Sequence, residues 1–447
     1  MTWFREKFNI KKNYNLKKIN FDFNLEKIFK IAIFFLPSAP LISGILIFIS
    51  GISSTFKRKG SYFSDKWNIP FFILGLLMII STIFSNNQII NYLNEIYNFS
   101  PNGLTNSSNF LIKSNWLNLF NWIPYFWFFW VLQYFSFRPE QRKSISLILI
   151  AGSVPVFFTG IMQYFFNFNG PFIFLNGLIT WYSKPITDFN GLSGLFSNAN
   201  YTGTWLNIIW PFSIAFLIEK KDKLYSNLVA VIFLLLNLFT TIFTLSRNAW
   251  LGLILGLIIM YGPKILKWLI PLITFIISPI ILSTSIINNQ FLINFSRKIV
   301  PKFFWEYKFN NISLENIENF GRLEIWKFAI EYIQKSPFWG WGSSSFPLLF
   351  EINKGLYKGH THNLFLELSF SYGVLSTILF SLIIFRIIWM AYKKNIYENN
   401  NLELYDQAWK ASFIIVLFSQ MFDLQYFDFR VGIMFWFLLS GLRNLIK

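Results

Sequence analysis

The sequence predicts an all-α integral membrane protein, with about twelve transmembrane helices and one large extracytoplasmic loop. Three observations carry that expectation. Hydrophobic residues make up 54% of the 447-residue chain and charged residues only 13%, where soluble domains carry about 25% charge. Apolar runs long enough to cross a bilayer, about 17–25 residues each, recur along most of the chain. The basic residues alternate between the ends of those runs in the manner of cytoplasmic loops. There is no cysteine, which excludes disulfides, thiolate metal sites and cysteine nucleophiles. The net charge of +18 matters through its placement relative to lipid. It gives no ground for a nucleic-acid partner.

In chain order, residues 1–27 form a basic segment expected on the cytoplasmic side. No small-residue cleavage site follows the first apolar run, so no cleavable signal peptide is expected. That run, about 28–52, carries Pro37 and Pro40 at its centre and basic residues on both flanks. Two short helices hinged at "PSAP" keep both flanks inside, where a single span would not. Further spans are expected near 67–85, 116–135, 145–165, 201–218, 227–246, 248–262 and 268–287, which makes nine helices over 28–287. Residues 288–363 form the large loop. The last three spans, 364–392, 410–427 and 431–446, fall within 364–447. With both termini inside, 26 of the 39 Lys and Arg residues lie in inner segments. Nine of the 13 outer ones lie in the long loop, where charge has little influence on orientation.

Within that loop, "FGRLEIWKFAIEYIQKSP" (320–337) reads as an amphipathic helix. Leu323, Trp326, Ile330 and Ile333 fall on one face, and Pro337 ends it. The glycine-rich turn "PFWGWGSSSF" follows. A helix lying on the membrane surface and a lid over a site both suit the pattern.

The chemistry-bearing residues are few. There is no GxxxxGK[ST] phosphate loop, no DxD pair and no HExxH. The two histidines of the chain stand together in "GHTHN" (359–363). No outer carboxylate cluster neighbours them in sequence, so no metal site and no cofactor are expected. Arg247, in "TLSRNAWLG", sits where two spans leave almost no loop. A membrane-interface anchor and a functional charge are the competing readings, and the second is preferred. Arg322 by itself reads as an ordinary solvated helix charge, and His362 as an interfacial histidine with or without a role. Together, two guanidiniums and an imidazole on one side fit a diphosphate leaving group and a hydroxyl acceptor. Guanidiniums clamp phosphate oxygens bidentately, and an imidazole can accept a hydroxyl proton near neutral pH.

"SRNAWLG", "GRLEIWKFAIEYIQKSPFWGWG" and "HNLFLELSFSYGV" resemble, in order, the signatures of the O-antigen ligase/polymerase family of bacterial membrane proteins. "GLFSNANYTGTWLNIIWP" (194–211) is similar to that family's asparagine-containing segment. The similarity covers about 190–390, and the N-terminal third matches in hydropathy alone. The resemblance implies a GT-C-like membrane glycosyltransferase of about a dozen helices in the cytoplasmic (inner) membrane, with its site on the periplasmic side. It implies transfer of a glycan from a polyprenyl diphosphate carrier to a hydroxyl of a glycan, lipid or protein acceptor, metal-independent and inverting. His362 would be the general base, Arg247 and Arg322 would hold the diphosphate, and Asn363 and Asn200 would support them. His360 has no counterpart in the pattern and reads as incidental. The alternatives are a bicarbonate or other small-solute transporter, and a non-catalytic scaffold. The scarcity of ionisable groups near mid-bilayer disfavours transport.

Overall fold

The computed structural model describes residues 25–57, 60–97, 101–187, 190–220, 224–284, 289–300, 321–393 and 401–446. Most of the expected basic N-terminal segment and loop residues 301–320 lie outside them. Among the described residues the protein is helical apart from one small hairpin. Helix α1 (25–35) stops at a turn over 36–38, and α2 (Pro40–Lys57) begins at the second proline. The Ser43 hydroxyl donates to the Ala32 carbonyl at 2.7 Å. Residues eleven apart on a straight helix would be about 16 Å apart, so the chain folds back at "PSAP" as the prolines predict.

Helix α3 (Asn68–Tyr97) runs well past the expected end at 85. The expected span 116–135 is instead broken. It contains the end of α4 (Pro101–Asn118) and the short α5 (Ile123–Leu132), separated by a 3₁₀ turn. Asn118 and Asn121 interrupt the apolar run there, and Pro124 restarts a helix where no amide donor is needed. Helices α6 (Pro139–Gly152) and α7 (Val154–Phe166) divide the span expected at 145–165, with Pro155 at the junction. An antiparallel hairpin of β1 (Phe172–Phe174) and β2 (Ile179–Trp181) departs from the all-α expectation.

Helices α8 (Ala199–Lys220), α9 (Leu224–Phe243), α10 (Arg247–Tyr261) and α11 (Leu266–Leu282) follow the apolar periodicity closely. The region between α11 and the next long helix holds α12 (Gln290–Ile299), α13 (Gly321–Lys335) and α14 (Ser345–Lys354). Helices α15 (Leu364–Lys393), α16 (Asn401–Ser419) and α17 (Phe429–Leu445) complete the chain. Among the described residues, seven segments are long and apolar enough to cross a membrane by length and composition.

The core gathers around α8 and α17. Helix α17 is buried along almost its whole length, and α8 packs against α9, α10 and α16. One end of the bundle is tied by ion pairs. Arg142 clamps Asp406 through two nitrogens at 2.6 and 2.7 Å, and Lys143 meets Glu219 at 2.8 Å. The opposite end carries both histidines and the start of α10.

Two expectations need correction. The buried stripe of α13 is Ile325, Phe328, Ala329, Tyr332 and Ile333, while Leu323 and Ile330 are exposed. The neighbouring helical row carries the larger rings and wins the packing against α15 and the end of α3. Helix α16 ends at Ser419, so Asp423 lies in a turn between helices and not inside a span reaching 427.

Candidate functional site

The site is built on the "GHTHN" turn. The Trp326 indole of α13 donates to the Thr361 carbonyl at 3.0 Å, which fixes α13 against the turn. The Glu367 carboxylate of α15 accepts from the Thr361 amide at 2.9 Å. Asn363 caps α15: its Oδ1 accepts from the Phe365 and Leu366 amides at 2.9 and 3.1 Å, the usual bond of an N-cap. Its Nδ2 donates to the Met421 carbonyl at 2.9 Å. Asn363 therefore fastens the turn to the loop after α16. Between these anchors His362 is held at φ 56°, a left-handed conformation uncommon for residues other than glycine. Such outliers persist where the surroundings over-determine them.

The strongest contact is between His362 Nδ1 and Asp423 Oδ1, at 2.7 Å. Asp423 is buried and accepts three further bonds. The Leu424 amide donates to Oδ1 at 3.1 Å. Asn200 Nδ2 and Gln425 Nε2 donate to Oδ2 at 2.8 and 3.1 Å. Burial alone would push the Asp423 carboxyl up. The bond from His362 and the charges of His362, Arg322 and His360 outweigh it and hold the carboxyl below the usual carboxylate range. An ionised carboxylate only accepts, so His362 donates through Nδ1 and its Nε2 is left as the basic nitrogen. Behind the pair, Gln425 accepts from Ser419, and Ser419 is bonded to Thr204 of α8 and Asn248 of α10. The pair is thus held by three different helices.

Asp423 was not singled out from the sequence. The signal was present: an acidic residue in the "SQMFDLQ" junction between two apolar runs, on the side of the histidines. Nothing in sequence spacing announced a partner 61 residues away from His362.

The arginines stand at two helix starts. Arg247 opens α10, whose N-cap Ser246 accepts from the Ala249 amide. Arg322 lies in the first turn of α13. Both positions carry the positive end of a helix dipole, where a cation is disfavoured and an anion is favoured. The two guanidiniums are near enough to repel each other, and Arg322 also acts on Asp423 and His360. Neither arginine makes an ion pair or hydrogen bond among the described residues. Arg247 is exposed at the end of the bundle.

His360 is not isolated. Its Nδ1 accepts from the His362 amide at 3.2 Å, and the two rings lie 4.2 Å apart. Burial and then the His362 charge push its imidazole down to about 4, against the opposing pull of Asp423. It stays neutral at neutral pH. The tertiary structure also supplies the carboxylate that the sequence neighbourhood lacks, because His360, His362 and Asp423 could jointly offer a cation three ligand atoms. Their facing atoms are already engaged. His362 Nδ1 is bonded to Asp423, His360 Nδ1 accepts a backbone amide, and both Asp423 oxygens accept two donors each. A cation held through the two Nδ1 atoms would have to break these bonds.

Residues 202–381 match the family model described as O-antigen ligase. The match runs from α8 into α15 and takes in Arg247, Arg322, His360, His362 and Asn363. Asn200 and Asp423 fall outside it. No curated protein matches the chain. Over those residues the chain is similar to O-antigen ligases, and this similarity supports a glycan-transferring membrane protein. Its long apolar helices mark a multi-pass membrane protein.

Proposed function

We propose that the protein transfers a glycan from a polyprenyl diphosphate carrier to an acceptor hydroxyl at the periplasmic face of the inner membrane, with twelve spans and both termini in the cytoplasm. The observation that carries this reading is the gathering of two guanidiniums, without a partner among the described residues, beside a His–Asp pair at one end of the bundle. His362 Nε2 takes the proton of the acceptor hydroxyl. The hydroxyl oxygen forms a bond to the anomeric carbon as the carbon–phosphate oxygen bond breaks. The electron pair leaves on the diphosphate, where Arg247 and Arg322 stabilise the growing charge. Direct displacement inverts the anomeric centre. Asp423 keeps His362 in the Nδ1–H form and stabilises the imidazolium, and Asn200 steadies Asp423. Asn363 supports the site through the cap it gives α15. Divalent metal is not required.

Transport is disfavoured because the candidate ionisable groups gather at helix ends, and no chain of them is seen at mid-span among the described residues.

The test is His362→Ala in a strain lacking the chromosomal copy. The expected outcome is normal membrane insertion with loss of transfer, so that carrier-linked glycan accumulates. Long accumulated chains identify a ligase and single repeats a polymerase, by mass spectrometry. Near-normal surface polysaccharide in that strain removes the histidine from the mechanism.

A further inference from the structure

The two histidines face different neighbours. Arg322 acts on Arg247, on His360 and on Asp423. A cavity of about 480 Å³, lined by neither arginine, opens beside His360, within the size range of small-ligand sites. Its walls come from the end of α4 and the 3₁₀ turn after it, the glycine-rich turn before α14, and the first turns of α15. The fold builds this space deliberately. The glycine-rich turn docks into a break in α15 at Gly373, whose φ is 82°. The Trp341 and Gly342 amides donate to the carbonyls of Phe370 and Ser371 at 2.7 and 3.2 Å. Asn118 Nδ2 donates to Ser344 Oγ at 2.9 Å, which joins the glycine-rich turn to the end of α4 along one wall of the cavity.

The lining has a consistent chemistry. Asn118 and Asn121 offer amides, and Trp122 and Phe427 offer ring faces. Glu367 contributes a carboxylate from a fully interior position, bonded only to the Thr361 residue among the described contacts. The Tyr372 hydroxyl is also buried. It finds no partner of normal hydrogen-bond geometry, although Ser343 is close enough to act on it. A buried hydroxyl without a partner costs free energy unless something supplies one. No lysine or arginine lines the cavity. A diphosphate would meet a carboxylate there and no counter-charge. A sugar would meet amide and hydroxyl partners for its hydroxyl groups and ring faces for its carbon-bound hydrogens.

We propose that this cavity is the acceptor-saccharide pocket, which seats the terminal sugar of the acceptor beside His362. The proposal rests on the transferase reading above. An inverting displacement needs the incoming hydroxyl and the departing diphosphate on opposite faces of the anomeric carbon. The arginines mark the leaving-group side, and the cavity includes neither of them. His360 lines the cavity and its ring meets that of His362 edge-on, with centroids 4.2 Å apart, so the cavity lies directly next to the general base.

The full-length protein in detergent tests this with two probes. The first is oligosaccharide released by mild acid from the source strain's own surface polysaccharide. The second is undecaprenyl diphosphate. Binding is followed by saturation-transfer NMR for the sugar and by tryptophan fluorescence for the lipid. Ser114→Trp fills the cavity from α4 and should abolish oligosaccharide binding. Asn121→Ala, which gives up one long 3.3 Å contact to Asn118, should weaken it about three- to tenfold, the range for a lost neutral hydrogen bond. Neither should change the affinity for undecaprenyl diphosphate, and Arg322→Ala should do the reverse. Wild-type oligosaccharide affinity in Ser114→Trp overturns the proposal, as does absence of binding to the wild-type protein. If Ser114→Trp loses both ligands it has misfolded, and Asn121→Ala decides. If Arg322→Ala leaves the diphosphate affinity unchanged while the cavity variants lose sugar, the pocket stands and the diphosphate assignment fails.

Discussion

Asp423→Asn isolates the charge of the site from its geometry. Asp423 Oδ1 faces His362 Nδ1 and the Leu424 amide, two donors that cannot turn around. Oδ2 faces the side-chain amides of Asn200 and Gln425, which can flip. An asparagine therefore places its carbonyl at the Oδ1 position and its NH₂ at the Oδ2 position. The His362 bond survives as a neutral one. What disappears is the negative charge that stabilises the imidazolium formed during transfer. Hydrogen bonds to charged groups contribute roughly 1.5–3 kcal/mol and neutral ones about 1 kcal/mol. The loss of about 1–2 kcal/mol corresponds to a rate about five- to thirtyfold lower. Burial of the carboxylate keeps solvent from erasing the difference. Membrane vesicles of a deletion strain, which hold accumulated carrier-linked glycan, provide the assay. Purified variant is added and the initial rate of transfer is measured. Because the carboxyl is held below its ordinary range, it is ionised at every pH above that range. The carboxylate's contribution should therefore be present at neutral pH and lost only as pH falls through its lowered value. A wild-type rate in Asp423→Asn refutes the role of the charge. A loss as deep as that of His362→Ala refutes the claim that the tautomer is preserved.

Three other perturbations follow from the same geometry. Arg247→Lys should lower transfer by at least about tenfold, because a single ammonium cannot reproduce the guanidinium fork; an unchanged initial rate would show that the fork is unnecessary. Transfer should survive EDTA, since the three potential ligands are bonded to one another and to neighbouring amides; activity lost to chelation and restored by Mg²⁺ would contradict this. Gly373→Ala should destabilise the protein by about 1–3 kcal/mol through strain at a positive φ, aggravated because an added Cβ would meet the Phe338 carbonyl. A lower midpoint of thermal unfolding in detergent checks it, and an unchanged midpoint would mean that the break in α15 is not required.

Much of the helix layout was legible in the sequence. Four consecutive spans, from α8 to α11, lie within a few residues of where hydropathy placed them. The fold-back at "PSAP" followed from two prolines and two basic flanks. The sequence was a poorer guide where polar residues interrupt an apolar run. Asn118 and Asn121 break the span expected at 116–135, and they do so where they line the cavity beside His360. The stripe of α13 was misassigned because adjacent rows on a helix carry similar hydropathy, and only its partners choose between them.

The sequence by itself determined that this chain lies in a membrane, that its two histidines share one turn, and that Arg247 occupies a position where a cation is costly. These are consequences of composition and local order, which survive in any fold. Only the tertiary structure decided that His362 has an anionic partner, that the partner is Asp423, and that His360 faces a polar cavity. Each depends on the "GHTHN" turn and the loop after α16 being tied together, by the Asn363 side chain on the Met421 carbonyl and by the Leu364 amide, which donates to the Gln420 carbonyl at 2.9 Å, across the packing of α15 against its neighbours. Contacts between segments so far apart in the chain are set by which faces the helices bury, and a linear pattern of residues does not contain that choice.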